Sequence, residues 1–133
     1  MLNPSEVFGD IMIDYSYVEC SSACITGLST FSKEMPTYRT HEVLHVIQAG
    51  RRFIKSIQRR DGSWYGSWGN CFTYGTWFGV EALVAAGEDV HSPAISTAVR
   101  WILSKQNENG GWGESYLSCV NKKYSEGTGL VME

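Results

Sequence analysis

Apolar and small residues recur at helical spacing in four stretches of the chain, and this pattern predicts four helices. Thr40 is a suitable N-cap, Pro93 suits a first helical turn, and Gly87 can end the third helix. Strand signals are weak throughout, so the pattern predicts an all-α fold. The expected spans run from about Val18 to Phe31, from Thr40 to Gln58, from Gly75 to Ala86, and from Ser92 or Pro93 to Gln106.

One amphipathic pattern occurs twice in the chain. Gln58 and Trp64 recur 48 positions later as Gln106 and Trp112, within the strings RFIKSIQRRDGSW and RWILSKQNENGGW. Upstream of each copy lies a predicted helix that is rich in small residues. The repeating unit is therefore a small-residue helix, a loop, an amphipathic helix, a glycine turn and a tryptophan. Such a repeat indicates about two stacked helix pairs.

Each copy of the pattern predicts a clasp at the end of its amphipathic helix. Glycine accepts positive φ, so the glycine turn is expected to stop the helix. The tryptophan then folds back over the last helical turn, while the glutamine stacks on the indole and hydrogen-bonds the loop backbone. Gln58, Trp64, Gln106 and Trp112 are thus predicted to be structural residues. Trp77, on the third helix, is expected to lie in the core.

The composition is typical of a globular domain and argues against several function classes. The chain has 133 residues, of which 43% are hydrophobic and 19% charged, with a net charge of −3. This charge leaves no basic footprint for nucleic acid. No apolar run reaches the length of a membrane span, and the first residues do not resemble a signal peptide.

The four cysteines do not have the spacing of a secreted disulfide scaffold. Cys20 and Cys24 lie four residues apart on a predicted helix, which is a poor geometry for a disulfide. Reduced thiols in a cytosol-facing protein are therefore expected. Cys24, Cys71 and Cys119 are interpreted as small buried residues.

Metal-ligating and acidic side chains are better explained by structure than by catalysis. His41 and His45 spell H-E-x-x-H, but a zinc site needs a third protein ligand, and position 48 is Gln where one zinc-protease class requires Gly. Both histidines are expected on the outer face of the second helix, and no metal site is predicted. Glu19 and Glu81 lie on the small-residue helices, where each is expected to cap or pair.

Three stretches of the chain resemble the oxidosqualene cyclases. They are NPSEVFGDIMIDYSYVEC at 3–20, DGSWYGSWGNCFTYGTWFGVEALVAAG at 61–87 and NGGWGESYLSC at 109–119. The repeated glutamine–tryptophan pattern matches the QW motif of that family, near 51–64 and 99–112. The resemblance extends from residue 3 to about 124, and the squalene–hopene cyclases are more distant relatives.

The resemblance implies an α/α toroid, of which 1–124 would form a partial α/α-barrel cyclase domain and 125–133 a divergent, unstructured end. In that family an acidic Asp protonates the epoxide of 2,3-oxidosqualene, and the polyene closes through carbocations to a sterol such as lanosterol or to a triterpene. Aromatic faces stabilise the cations, and water is excluded. The family implies no metal or organic cofactor. Its full-length members are monotopic, on the cytosolic face of the endoplasmic reticulum membrane or on lipid droplets.

Five positions match site residues of the resembled family. Cys20 matches the cysteine that hydrogen-bonds the catalytic Asp, and Trp68 matches a cavity tryptophan that stabilises cations. Tyr74 aligns with a tyrosine near the acid in the more distant hopene cyclases. Phe8 matches a cavity-wall aromatic residue, and Ile11 matches an apolar residue at a constriction of the substrate channel. The resemblance thus assigns Cys20, Trp68 and Tyr74 to catalysis, and Phe8 and Ile11 to substrate binding.

Two features depart from the family pattern. Asn70 stands where an apolar residue is expected. The Asp-Cys-Thr-Ala-Glu type motif that carries the acid is absent from the sequence, and Asp10 and Asp14 do not replace it. The chain is therefore interpreted as a fragment that is inactive alone, because no proton donor is present for Cys20 to tune.

Two other function classes stay open. A non-catalytic helical-repeat module would bind a partner, or self-associate, through apolar faces that neighbouring repeats normally cover. A prenyltransferase β subunit is the weaker alternative, because its zinc-binding Asp, Cys and His set is not found in the sequence. With two repeat units, the chain alone is expected to be marginally stable.

Overall fold

A computed structural model describes residues 16–127 of the chain. Within that range the regular secondary structure is helical. Two isolated β-bridges pair Gln106 with Trp112 and Glu114 with Glu126, and these residues contain no longer strand pairing. The all-α prediction is confirmed. The helices are α1 (Val18–Glu34), α2 (Thr40–Ser56), α3 (Cys71–Ala85), α4 (Pro93–Leu103) and α5 (Leu117–Asn121).

The four predicted helices exist, but several of their ends differ from the prediction. Helix α3 begins at Cys71 rather than Gly75, and α2 and α4 end before the glutamines that were expected to close them. Thr40 is not the N-cap of α2. That position belongs to Arg39, which has a left-handed backbone with φ 46°, and the Thr40 hydroxyl donates to the carbonyl of Pro36 at 2.7 Å. Gly87 does follow the end of α3, with φ 76°.

The helices pack as two hairpins, α1–α2 and α3–α4, and the small-residue helices α1 and α3 of the two hairpins pack against each other. Helix α1 packs against both α2 and α3, and α3 in turn packs against α4 and α2. The side chains that fill the core are buried aliphatic and aromatic groups, among them Ile25, Ile47, Ile54, Trp64 and Leu83. The predicted repeat of a small-residue helix followed by an amphipathic helix is therefore the packing unit of the structure.

A glycine on α3 explains why small residues are needed on that helix. The ring of Trp64 lies against Gly79, and a Cβ atom added at Gly79 would come within 2.5 Å of the indole Cε3 atom. Only a residue without a side chain lets the indole approach the helix this closely. The small-residue face of α3 therefore receives the tryptophan that follows α2.

The turn after α3 is held to α2 by ion pairs. Lys55 Nζ lies 2.7 Å from one carboxylate oxygen of Glu88, and Arg51 Nη1 lies 3.6 Å from the other. The Glu88 side chain is only 9% exposed. The hydrogen bond from Lys55 is the largest of the influences that hold the pKa of the Glu88 carboxyl below its usual range. The charged carboxylate therefore stabilises the joint between the two hairpins.

Several large side chains lie at the surface. Trp77, expected in the core, is 55% exposed, because α3 is apolar on all sides and its small-residue face is the one that packs inward. His41 and His45 are exposed on α2, as predicted. Within the described range, no three or more His, Cys, Asp or Glu side chains form a group that could hold a metal ion. No helix in residues 16–127 combines the length and apolar character that crossing a bilayer requires.

Candidate functional site

The first clasp joins Gln58 and Trp64 to the end of α2. The indole N–H of Trp64 donates to the carbonyl of Ile54 at 2.8 Å, and the indole is completely buried. The Gln58 amide donates to the carbonyls of Gly62 at 2.9 Å and Ala94 at 2.8 Å. The predicted fold-back and the glutamine bond to the loop are confirmed. The bond to Ala94 also ties the first hairpin to the start of α4.

The second clasp repeats these contacts in a more exposed setting. Trp112 donates its indole N–H to Ile102 at 2.8 Å, and Gln106 donates to the carbonyl of Gly110 at 2.7 Å. Trp112 is 42% exposed, in contrast to its buried counterpart. The turn glycines have the expected positive φ, 97° at Gly62 and 84° at Gly110, but they lie in the turns and not at the helix ends.

Residues 65–70, here called the Trp68 loop, connect the first clasp to α3. The backbone N–H of Trp68 donates to Glu19 Oε1 at 2.9 Å, and the N–H of Ser67 donates to the same oxygen. Glu19 is buried on the first turn of α1, at 6% exposure. Trp68 itself is 44% exposed, and its ring meets that of Tyr17 edge to face, with centroids 6.2 Å apart. A single carboxylate therefore fixes the backbone that presents the Trp68 indole.

Tyr74 lies on α3 directly beneath the Trp68 loop. A Cβ atom at Gly66 would come within 2.8 Å of the Tyr74 ring, so the loop can lie on the ring only because this position is glycine. On another side the ring meets Phe78 edge to face, at 4.8 Å between centroids. Burial is the largest cause that raises the pKa of the Tyr74 phenol, followed by electrostatic interactions with Glu19 and Cys20.

A second carboxylate reaches the same region from the other clasp. Glu114 accepts the backbone N–H groups of Phe72 at 2.9 Å and Thr73 at 2.7 Å, in the first turn of α3. A carboxylate at a helix N-terminus satisfies free amides and complements the helix dipole. Asn70, where an apolar residue was expected, donates its side-chain amide to the carbonyl of Glu114 at 3.3 Å. These bonds explain why α3 begins at Cys71.

The cysteines differ from the expectation of four reduced thiols. Cys71 and Cys119 are buried and form a disulfide, with Cα atoms 5.7 Å apart and a sequence separation of 48. That separation equals the spacing of the two clasps, so the paired cysteines occupy equivalent positions in the two repeats. Cys24, expected to be buried, is exposed, as is Cys20. The position of Cys24 on α1 lies outside the face that packs against the other helices.

Two open grooves border the candidate residues. One has a volume of about 370 Å³ and is lined by Tyr74 and Trp77 on α3 and by Trp112 and Glu114 from the second clasp. The other, of about 460 Å³, lies between α1 and α2 and includes Cys20 in its lining. The structure therefore places Tyr74 and Cys20 on the edges of different grooves, with the buried carboxylate of Glu19 on the same helical turn as Cys20.

Comparisons with known proteins agree with one another over almost the whole chain. The family model described as "Squalene-hopene cyclase C-terminal domain" matches residues 7–130. Cycloartenol synthase of Dictyostelium discoideum is 61% identical over 123 residues, which are 92% of this chain and 18% of that protein. Lanosterol synthase of Mus musculus is 50% identical over 128 residues, 93% of this chain and 18% of that protein. The chain belongs to the oxidosqualene cyclase family.

Membership of the oxidosqualene cyclase family confirms the resemblance and assigns the helices to an α/α toroid. The match extends to residue 130, past the position near 124 where the resemblance was expected to end. Residues 125–127 pair with 113–115 through backbone bonds, for example from the N–H of Ser115 to the carbonyl of Ser125 at 2.9 Å. The division at residue 124 stays a prediction. The chain spans only 18% of the length of the relatives named above.

The catalytic roles assigned to Cys20, Trp68 and Tyr74 in this cyclase segment stay predictions, although Tyr74 and the Trp68 loop are packed together. Phe8 and Ile11 lie outside the described residues. Glu19 and Glu114 were not identified as organising residues, because the amides that they bind are more than forty positions away in sequence. The expectation that Glu19 caps or pairs agrees with its two bonds to backbone N–H groups.

Proposed function

We propose that this chain is part of an enzyme that cyclises 2,3-oxidosqualene to a sterol such as lanosterol, or to a triterpene. The observation that carries the proposal is the 61% and 50% identity to cycloartenol and lanosterol synthases across the strings that contain Cys20, Trp68 and Tyr74. Both relatives are named as synthases of a sterol, cycloartenol in one case and lanosterol in the other. The segment would supply one arc of the wall around the reacting polyene.

The geometry supports a division of roles among three residues. Trp68 is partly exposed on a loop whose backbone is fixed by hydrogen bonds, so its π face can be presented to a carbocation. Tyr74 has a raised phenol pKa, so it stays neutral and can combine its aromatic face with hydrogen-bond donation. Cys20 presents an exposed thiol on the first turn of α1, where it would hydrogen-bond the acidic Asp.

The chain alone is proposed to be inactive. Opening the epoxide requires a proton donor, and the sequence contains no Asp-Cys-Thr-Ala-Glu type motif. The purified 133-residue chain, incubated with 2,3-oxidosqualene, should therefore give no cyclised product by gas chromatography and mass spectrometry. Turnover above a heat-inactivated control would refute the proposed inactivity.

A hybrid enzyme tests the proposed reaction directly. Residues 16–127 would replace the matching segment of the lanosterol synthase of Saccharomyces cerevisiae, which is 48% identical over 124 residues. The hybrid should restore sterol synthesis in a yeast strain that lacks this synthase, and Trp68→Ala should remove the activity without lowering the amount of folded hybrid. A folded hybrid that forms no cyclised product would contradict the proposal. Its product profile would distinguish sterol from triterpene formation.

Exposed aromatic side chains favour an interaction module as the second candidate. Trp77 is 55% exposed and borders the same groove as Trp112, which is 42% exposed. Apolar surface of this kind favours association with a partner or with a second copy. Sedimentation velocity should show oligomers of the chain that Trp77→Ser reduces. A concentration-independent monomer would count against this candidate.

The proposed cellular site follows from the family and is the cytosolic face of the endoplasmic reticulum membrane or the lipid-droplet surface. The hybrid enzyme, tagged and fractionated from yeast, should sediment with microsomal membranes or float with lipid droplets. Recovery in the high-speed supernatant, with the unaltered yeast synthase in the membrane fraction of a parallel sample, would refute this localisation. Neither nucleic acid nor a cofactor enters the proposed activity.

A further inference from the structure

The carboxylate of Glu19 is in an unusual environment for an acidic side chain. It is 6% exposed, and one of its oxygens accepts two backbone N–H groups, from Ser67 and Trp68. Its second oxygen is buried without a hydrogen-bond partner among the described residues. Burying a carboxylate is costly unless hydrogen bonds compensate. Here two N–H groups of the loop that presents Trp68 supply the hydrogen bonds.

The contacts of Glu19 join three elements around Trp68. A Cβ atom added at Gly66 would lie 3.2 Å from Glu19 Oε1 and 2.8 Å from the Tyr74 ring. The N–H of Gly66 donates to the carbonyl of Cys71 at 2.7 Å, which anchors the loop to the start of α3. The loop is therefore held between a carboxylate from α1 and an aromatic ring from α3. Removal of either support would allow the backbone at Trp68 to shift.

We propose that Glu19 is a positioning residue for the cyclisation reaction, acting through the backbone of Ser67 and Trp68 to set where the Trp68 indole stands. The inference rests on the proposed function, because it gives Trp68 its role as a cation-stabilising group. Glu19 itself does not touch the substrate. Its charge strengthens the two N–H bonds, since hydrogen bonds to an ionised acceptor are shorter and stronger than neutral ones.

The position of Trp68 matters because the attraction between a cation and a ring depends on close approach to the ring face. A misplacement of about 1 Å at a reacting centre can lower a rate by about 100-fold. Glu19→Ala removes the acceptor of both N–H groups. Glu19→Gln keeps an oxygen acceptor of the same reach without the charge, so it should preserve the loop with weaker bonds.

The first test uses the 133-residue chain and does not depend on activity. In amide hydrogen exchange followed by ¹⁵N NMR, Ser67 and Trp68 should be protected, and Glu19→Ala should accelerate their exchange by about 10-fold or more relative to the core amides of α3. The exchange rates of these amides in Glu19→Gln should lie between those of the unaltered chain and those of Glu19→Ala. Glu34→Ala is the matched control, because Glu34 is an exposed acid at the other end of α1. Unchanged exchange at both amides in Glu19→Ala would overturn the proposal.

The second test uses the hybrid enzyme. Glu19→Ala should lower kcat by about 10- to 100-fold with KM changed by less than about twofold, and should increase incompletely cyclised products. Glu19→Gln should recover most of the loss, and Glu34→Ala should match the unaltered hybrid. If Glu19→Ala only lowers the amount of folded hybrid, with kcat per folded enzyme and product ratios unchanged, the residue is merely structural and the proposal is refuted.

The two tests separate the two proposals. If the unaltered hybrid forms no cyclised product, the proposed function fails, and the exchange experiment still decides whether Glu19 positions the Trp68 loop. If the hybrid is active, Trp68→Ala abolishes turnover and Glu19→Ala changes neither kcat nor product ratios, the positioning role fails while the proposed function stands.

Discussion

The two clasps provide a matched experiment on what a buried tryptophan contributes to this fold. Trp64 and Trp112 donate the same indole N–H bond, at 2.8 Å, to a carbonyl near the end of the preceding helix. They differ in burial, because Trp64 is fully buried and Trp112 is 42% exposed. Replacing each by alanine removes the same atoms from two environments, so the difference in unfolding free energy measures the environment.

The expected magnitude follows from the buried area. A fully buried tryptophan covers about 200 Å², which at about 25 cal/mol per Å² corresponds to about 5 kcal/mol. For Trp112 a little under three fifths of the surface is covered, which corresponds to about 3 kcal/mol. The carbonyl freed at Ile54 is buried, whereas water can reach the site at Ile102, and this adds about 1 kcal/mol to the loss at Trp64. We expect Trp64→Ala to cost about 3 kcal/mol more than Trp112→Ala.

Urea unfolding followed by far-UV circular dichroism measures this difference without depending on tryptophan fluorescence. Because Trp64→Ala would unfold a chain of ordinary stability, both series are also measured as Trp→Phe and in the presence of a stabilising osmolyte. Trp77→Ala, at a 55% exposed position, is the control and should cost the least. Equal costs for Trp64 and Trp112, within about 0.5 kcal/mol, would refute the argument from burial.

Three further predictions concern other parts of the fold. Gly79→Ala forces a Cβ atom into the Trp64 indole and should lower the melting temperature in a thermal scan. Gly27→Ala has open space around it and should raise stability by about 0.5–1 kcal/mol. A less stable Gly27→Ala and a more stable Gly79→Ala would contradict the packing argument. The lowered pKa of Glu88 contributes stability above its ordinary pKa that is lost as pH falls through the folded value. In urea unfolding, the unaltered chain should therefore be more stable than Glu88→Gln, and this difference in unfolding free energy should shrink below about pH 4.5. A difference that does not depend on pH would refute the contribution of the Glu88 charge. Reduction of the disulfide should destabilise the chain by about 4 kcal/mol, the loop entropy for a separation of 48 residues. Dithiothreitol should lower the melting temperature of the unaltered chain and leave that of Cys71→Ser unchanged. An equal effect on the unaltered chain and on Cys71→Ser would exclude the disulfide.

The parts of the fold that the sequence predicts are those with short-range causes. Gln58 bonds to Gly62 and Trp64 bonds to Ile54, so each partner lies within ten residues and the repeat shows it twice. The bonds of Glu19 and Glu114 reach amides that are more than forty residues away, and no local pattern encodes such a pairing. The exposure of Trp77 could not be predicted for a related reason. Helix α3 is apolar on every side, so periodicity does not identify its buried face.

The disulfide is a long-range contact for which the sequence held a usable signal. Cys71 and Cys119 follow their clasp tryptophans at the same distance, and their separation equals the repeat. Equivalent positions of stacked repeats face the same neighbour interface, so residues at those positions can meet when the second unit folds back on the first. The compositional argument for reduced thiols considered the cell compartment and the spacing of Cys20 and Cys24, and it omitted this equivalence.

The unequal burial of the two clasps shows that a repeat of this type acquires its rigidity from the next one. In the first clasp, Gln58 bonds onward to Ala94, and Trp64 is covered by α3. The described part of the chain supplies no third hairpin to cover Trp112 in the same way, which explains its 42% exposure. The same dependence applies to the Trp68 loop, which is held from the preceding hairpin by Glu19. At the start of α3, Asn70 of the loop donates a hydrogen bond to the carbonyl of Glu114, which directly follows the second clasp. The backbone of the Trp68 loop is therefore held by consecutive repeats, and mutations at these repeat junctions should shift the loop before they unfold the chain.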